Sequence, residues 1–338
     1  MIEVIASVAA VAAVVVAVLL GTRSLGRRAF AVVAVAASAA VLTGALGALV
    51  PGDPVAAALG EDAPEEARAA MRIELGLDDT VSILGVPLGP LKAGGRVLTG
   101  LLSSDHPLRS LRTREPVIDV VGQRLPATIG LAAAGVVVGV LSGVLLGLLA
   151  ALWRKRAGHV VVDVVVAGLS ALPRFVLGPA LVLVFAIGWR VLPAGGVDDG
   201  ARSLLLPALC LGLPFGGVVG RHVRAALLEA LDAPFARTAR SKGASDVAVL
   251  LRHALPHAWL SVVHLVALQM GALIGGAVVV EKVFSWPGLG MLLQDALKKA
   301  DLPVVQGVVV VAAAGIALAG LVADVVAVAV DPRLRVRQ

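Results

Sequence analysis

The amino-acid sequence predicts an all-α polytopic membrane protein with about seven transmembrane helices. Three observations carry this. Hydrophobic residues make up 59% of the 338 and charged residues only 15%, with a mean hydropathy of +0.96, whereas a soluble domain runs at about 45–50% apolar and about 25% charged. The apolar residues fall in long runs that match the roughly 20 residues needed to cross a hydrocarbon core. Between those runs, the basic residues collect on alternate sides.

The apolar runs are 1–21, 29–50, 126–152, 160–188, 203–228, 256–280 and 303–330. The first begins Met1-Ile2-Glu3-Val4, with no basic residue and no convincing cleavage site after it, so it reads as a spanning helix and not as a signal peptide. Segments 22–28, 153–159, 221–257 and 331–338 hold 3, 3, 6 and 3 Lys or Arg, whereas the short opposite loops 189–202 and 281–302 hold 2 and 3. The positive-inside rule makes the first set cytoplasmic, which puts the N-terminus outside and the C-terminus inside. Trp153, Trp189, Trp259 and Trp286 fall near span ends, as an aromatic belt requires. The net charge of +6 is therefore spread between spans, which points to a bilayer and not to nucleic acid. The single cysteine, Cys210, lies in an apolar run with no companions for a disulfide or a metal site.

Loop 51–125 lies outside the membrane and has structure of its own. Asp62-Ala63-Pro64-Glu65 starts a helix that Gly76 ends, and residues 117–124 form a short interfacial helix leading to Pro126. Glycines then mark packing faces. Gly135, Gly139, Gly143 and Gly147 recur every four residues in the third span, Gly212, Gly216 and Gly220 in the fifth, and Gly271 and Gly275 in the sixth. Small residues at this spacing let helix backbones approach closely in lipid. These ridges read as packing faces, and spacing does not say whether each meets another helix of the chain or a second subunit.

The polar island 229–256 interrupts two apolar runs. Asp232 and Pro234 open a short helix, Gly243 stops it, and Ser245 with Asp246 caps a second helix running to about Ala254. Pro256 then starts the next apolar helix. Two short helices meeting at a glycine between two spans make a knob on the membrane surface, a shape suited to a soluble partner.

The island's residues resemble the EAA motif of ABC importer permeases. Arg237-Thr238-Ala239, Gly243, His253 and Leu255-Pro256 keep that motif's spacing, and Arg240, Lys242, Ala244 and Ser245 fall within it. Arg237 and Thr238 replace the motif's Glu and first Ala, and His253 its Ile. This form resembles the dipeptide, oligopeptide and nickel permeases. Further strings of that group are Leu49–Val55, Leu75–Asp78, Arg109–Arg112, Arg124–Thr128, the run ending at Glu281, Trp286–Gly290, the run ending at Gly307, and Asp331–Arg335. The resemblance implies a transmembrane domain over 28–338, a six-helix core with residues 1–27 as an added helix and linker. It gives 229–256 the role of coupling to an ATPase and places loop 51–125 beside an external substrate-binding protein; the other reading of that loop is a lid that only covers the bundle. It also implies a second homologous permease and two cytoplasmic ATPase subunits, which hold the ATP and Mg; this chain needs no cofactor of its own.

Several polar residues lie within the spans. Arg174, after Pro173 in the fourth run, costs about 2.5–3.5 kcal/mol or more in a bilayer and needs a partner or water. Two readings stand: Arg174 lines the translocation path and favours a substrate with a carboxylate or another anion, or it pairs with Asp163, Asp324 or the partner subunit. The resembled group has a small polar residue there. His264 and Gln269 face the same path or serve as hydrogen-bonded packing residues. Asp163 and Asp324 read as helix-end anchors. The spacing of His222, His253 and His257 makes no metal site.

No phosphate loop of the G-x-x-x-x-G-K-[ST] kind occurs, nor a G-x-S-x-G elbow or H-E-x-x-H pair, so the chain is not an enzyme by itself. An ion-gradient-driven secondary transporter is the alternative, although no inverted repeat is visible. A non-transporting membrane scaffold would leave the knob and Arg174 without a role.

Overall fold

The computed structural model describes residues 25–47, 64–69, 82–83, 86–87, 89–103, 105–154 and 158–330, apart from some side chains within the helices. The expected first span at 1–21, the strings at 49–55, 75–78 and 331–335, and the capping residues Asp62, Ala63 and Gly76 lie outside the described residues. The architecture is all-α. Among the described residues, strands occur only as the two-residue antiparallel pair Ser82–Ile83 (β1) and Val86–Pro87 (β2).

The helices are α1 (Leu25–Gly47), α2 (Gly89–Leu102), α3 (Val117–Leu152), α4 (Gly158–Ala171), α5 (Arg174–Leu181), α6 (Ala201–Asp232), α7 (Pro234–Ser241), α8 (Asp246–Val249), α9 (Leu255–Val283), α10 (Leu289–Lys298) and α11 (Leu302–Val330), with one further turn at 65–69. Among the described residues, three stretches are long and apolar enough to cross a membrane: α3, α6 and Leu302–Val322 of α11. The fourth expected run, 160–188, is not one straight helix. It breaks at Leu172-Pro173, where α4 and the segment Arg174–Gly188 meet at a bend of 108°. Pro173 is extended (ψ 136°) and lacks an N–H, and its ring disfavours a helical residue before it, so α4 ends there.

Residues 117–124 do not form a separate helix either. They are the first turns of α3, which carries Pro126 inside it. A proline removes one backbone hydrogen bond without ending a helix that packing supports on both sides.

The chain divides into two compact units. In residues 1–126 with 291–318, Gly94 lets α2 approach α1 closely: a Cβ there would lie 2.8 Å from the Val41 backbone. The turn 109–116 is fixed by buried Asp301, which accepts from Ser110 Oγ and the Leu111 N–H, while Arg112 donates twice to the Lys299 carbonyl.

In residues 127–290 with 319–338, α6 is central: 72% of its most apolar window is buried, against 33% for α3. The glycine ridges of these two helices face each other. A Cβ on Gly143 would lie 2.5 Å from Val219 Cβ and 2.7 Å from the Gly216 carbonyl, and one on Gly147 would lie 2.6 Å from Val223 Cγ1. Gly135 and Gly139 meet Leu211 and Phe215 in the same way, and Gly212 meets the Gly135 carbonyl. Gly217, off the ridge, lets α4 in, with Ser170 N and the Val166 carbonyl 2.6 and 2.8 Å from its would-be Cβ. Arg224 of α6 pairs with Asp163 of α4 at 3.0 Å, which makes Asp163 the expected anchor. The ridge of α9 differs: nothing lies within 4 Å of a Cβ on Gly275, although Gly276 beside it is tightly packed.

Candidate functional site

The island at 229–256 folds as a knob, and its helix ends explain the spacing of the motif. Helix α7 starts with Pro234 at its first position, after an extended Ala233. The N-cap is Ala233 and not Asp232, which instead pairs with Arg154 at 3.3 Å. At the other end, Gly243 adopts φ +86°. Its N–H donates to the Arg240 carbonyl and the Ala244 N–H to the Ala239 carbonyl. This is a Schellman closure, with the left-handed residue taken by glycine and a contact between the residues flanking it. Ala239 and Ala244 both pack on the core, as that closure expects. Ser245 caps α8, accepting from the Ala248 N–H at 3.3 Å.

Helix α8 does not stop near Ala254. It passes through a π-helical segment, Leu250–Ala254, straight into α9, with Val249, Leu250, Ala254 and Leu255 all in right-handed helical geometry. Pro256 therefore does not restart the chain. The Leu255 N–H reaches back to the Leu250 carbonyl, and this wider turn leaves room for a proline that has no N–H to offer. Helical backbone is thus continuous from Asp246 to Val283.

The knob has two faces. Ala236, Val249, Leu250 and Ala254 are buried in one cluster with Leu227, Leu231 and Ala258. On the other side Arg237, Thr238, Lys242, Arg252 and His253 are exposed, together with Phe235 (41%), Val247 (51%) and Leu251 (49%). The sequence reading missed these three apolar residues. Val247 and Leu251, four apart in a polar island, were the available signal. Arg240 faces inward instead: Nε bonds Asp246 Oδ1 at 3.0 Å and Nη1 the Leu231 carbonyl at 3.1 Å.

A cavity of about 200 Å³ opens at the break between α4 and α5, lined by Ser170, Arg174, Phe215, Gln269 and Leu273 among others. It brings together Arg174 and Gln269, which lie far apart in sequence. His264 falls on α9, but its side chain is outside the described residues, as is that of Asp324. Asp163, one expected partner of Arg174, is occupied by Arg224. Cys210 Sγ donates to the Arg174 carbonyl at 3.4 Å, so the cysteine is a packing residue beside the cavity.

Sequence reasoning quoted three of the separated strings without their connection. Glu281 is fully buried; Thr128 Oγ1 donates to its Oε1 at 2.6 Å and the Gly290 N–H to its Oε2 at 2.6 Å. Thr128 Oγ1 in turn accepts from the Leu289 N–H, and Trp286 Nε1 donates to the Ala127 carbonyl. A Cβ on Gly288 would collide with the Glu281 carboxylate, which is why the turn after Trp286 carries glycine. One carboxylate therefore fixes the turn 285–290 onto the start of the third apolar run.

Spans packed through glycine, a polar cavity at a broken span and a two-faced knob together describe a membrane transport subunit. Comparison with known proteins narrows this. The model of the family "binding-protein-dependent transport system inner membrane component" matches residues 143–336. The glutathione transport system permease protein GsiC of Escherichia coli K12 is 35% identical over 288 residues, covering 85% of this chain and 90% of that protein. The same-named protein of Salmonella paratyphi A is 34% identical over an equal length. A crystal form of the MetNI methionine ABC transporter in an inward-facing conformation shares the fold, at a TM-score of 0.55 and 18% identity, over 64% of this chain and 99% of that one. The chain belongs to this family: it is an inner-membrane permease of a binding-protein-dependent ABC importer.

Proposed function

We propose that the chain couples ATP hydrolysis on separate cytoplasmic subunits to the passage of glutathione, a peptide or a similar small solute. A second permease completes the path, an external binding protein delivers the solute, and two ATPase subunits carry the ATP and Mg. The N-terminus lies outside and the C-terminus in the cytoplasm. The identity to glutathione permeases supports the substrate class.

The observation that carries this reading is the continuity of the knob with the bundle. Its inner face belongs to the same core as α6, and its second helix runs unbroken into α9. At about 1.5 Å rise per residue, Gln269 lies roughly 28 Å along that helix from Leu250. A displacement of the knob is therefore delivered to the cavity wall, with no flexible loop to absorb it. Exposed Phe235, Val247 and Leu251, with exposed Arg237, Lys242 and Arg252 on the same knob, supply the surface on which an ATPase sits. Alternation between inward- and outward-facing states follows as α9 tilts against α6.

The test is purification of the tagged chain from native membranes in mild detergent, with 237–246 intact or scrambled. An ATPase subunit that accompanies the intact chain and is lost with the scramble supports the coupling role. No ATPase with either form contradicts it.

A further inference from the structure

The cavity at the broken span holds a cation with no counter-charge among the described residues. Arg174 makes no ion pair among the described residues, and its buried Nε has no hydrogen-bond partner. The guanidinium is positioned by shape. Gly276 of α9 lies flat against it, and a Cβ there would come within 2.5 Å of Nη1 and 2.6 Å of Cζ. Any larger residue would displace the group from that seat. Gln269, on the same helix, also lines the cavity and has no hydrogen-bond partner among the described residues. Pro214, Phe215 and Leu273 are apolar parts of the wall, and Ser170 adds a hydroxyl that donates to the Ala167 carbonyl. The first turn of α5, whose N-cap Pro173 offers no side-chain cap, adds its positive helix end to the same charge.

We propose that this cavity is a carboxylate subsite: Arg174 takes a terminal carboxylate of the carried solute, and Gln269 donates a further hydrogen bond. A guanidinium held against a glycine can present its remaining N–H groups as a pair, the geometry a carboxylate matches. About 200 Å³ accommodates an end group and not a whole peptide, so the subsite grips one end of a longer solute. The inference rests on the permease reading for its solute but stands on the local charge and geometry for the site.

The test uses inside-out membrane vesicles holding the whole transporter, with Cys210→Ser removing this chain's single cysteine, Val218→Cys placing one on the cavity wall, and labelling read on this chain alone. Modification rates are compared for an anionic and a cationic methanethiosulfonate. The subsite predicts that Arg174→Gln lowers the anionic-to-cationic rate ratio about tenfold, the order expected from one unit charge at partly shielded short range. Arg174→Lys keeps the ratio, which controls for folding. S-Methylglutathione, whose blocked sulfur cannot consume the reagent, slows the labelling and its diethyl ester does not. A ratio indifferent to Arg174→Gln, equal protection by acid and ester, or no labelling by either reagent overturns the proposal. The labelling requires no transport. Loss of ATP-driven uptake with an intact Arg174-dependent ratio would therefore count against the permease reading alone.

Discussion

Arg240 Nε lies 3.0 Å from Asp246 Oδ1, across the glycine turn that joins the two helices of the knob. The same guanidinium holds the Leu231 carbonyl at the end of α6. The sequence reading placed Arg240 among the residues that dock a partner, whereas the structure makes it the brace that ties both short helices to the bundle. The pair with Asp246 is exposed on the acid's side and contributes at most about 1 kcal/mol; the bond to the carbonyl adds more. Arg240→Ala should therefore loosen the knob by about 1–2 kcal/mol and Asp246→Asn by less. Hydrogen exchange at 234–249 measures both, and equal protection in the two variants would remove the brace.

Gly243 has φ +86°, where a β-carbon is strained and proline cannot go. Nothing lies within 4 Å of the position where its Cβ would be, so the constraint is the backbone and not space. Gly243→Asn should retain coupled uptake because asparagine tolerates the left-handed region, whereas Gly243→Pro should abolish it while ATP hydrolysis continues. Uptake per ATP hydrolysed in reconstituted vesicles separates the two.

The facing ridges of α3 and α6 predict a graded response. Gly143→Ala puts a methyl 2.5 Å from Val219 Cβ and should destabilise the bundle by about 1–3 kcal/mol. Gly275→Ala, with open space around it, should leave the monomer's detergent melting temperature unchanged. Equal effects would contradict the assignment of the ridges.

At Glu281 the expected result depends on the replacement. Glu281→Gln keeps one oxygen to accept from the Gly290 N–H and turns an amide N–H toward Thr128 Oγ1, so it should be tolerated in part. Glu281→Ala strands the Thr128 hydroxyl and the Gly290 N–H in a buried site, at about 1–3 kcal/mol for each. Thermal unfolding in detergent checks the order: wild type, then glutamine, then alanine.

The features legible in the sequence were those that local chemistry dictates. Pro234, Gly243 and Ser245 mark the knob because each acts on its own backbone, and all three act as expected. Proline was over-read elsewhere. Pro126 and Pro256 sit inside continuous helices, and at Pro256 a π turn accommodates the missing N–H. Pro173 was under-read, since the apolar run continues through the break and hydropathy does not register direction. Glycine spacing gave the ridges, but not the fact that two of them meet each other. The Glu281 network joins residues 153 apart, a distance that no local pattern spans. Arg174 and Gln269 were each legible as odd residues in a span; their common cavity was not.

The most direct test of the central claim places a photo-crosslinking amino acid at Val247, on the exposed face of the knob, and another at Leu268, exposed on α9, in cells carrying the whole transporter. The account predicts a covalent adduct with a nucleotide-binding subunit from position 247 and none from position 268. Full-length, membrane-inserted protein that forms no such adduct at 247 would contradict the assignment of the knob as the ATPase contact.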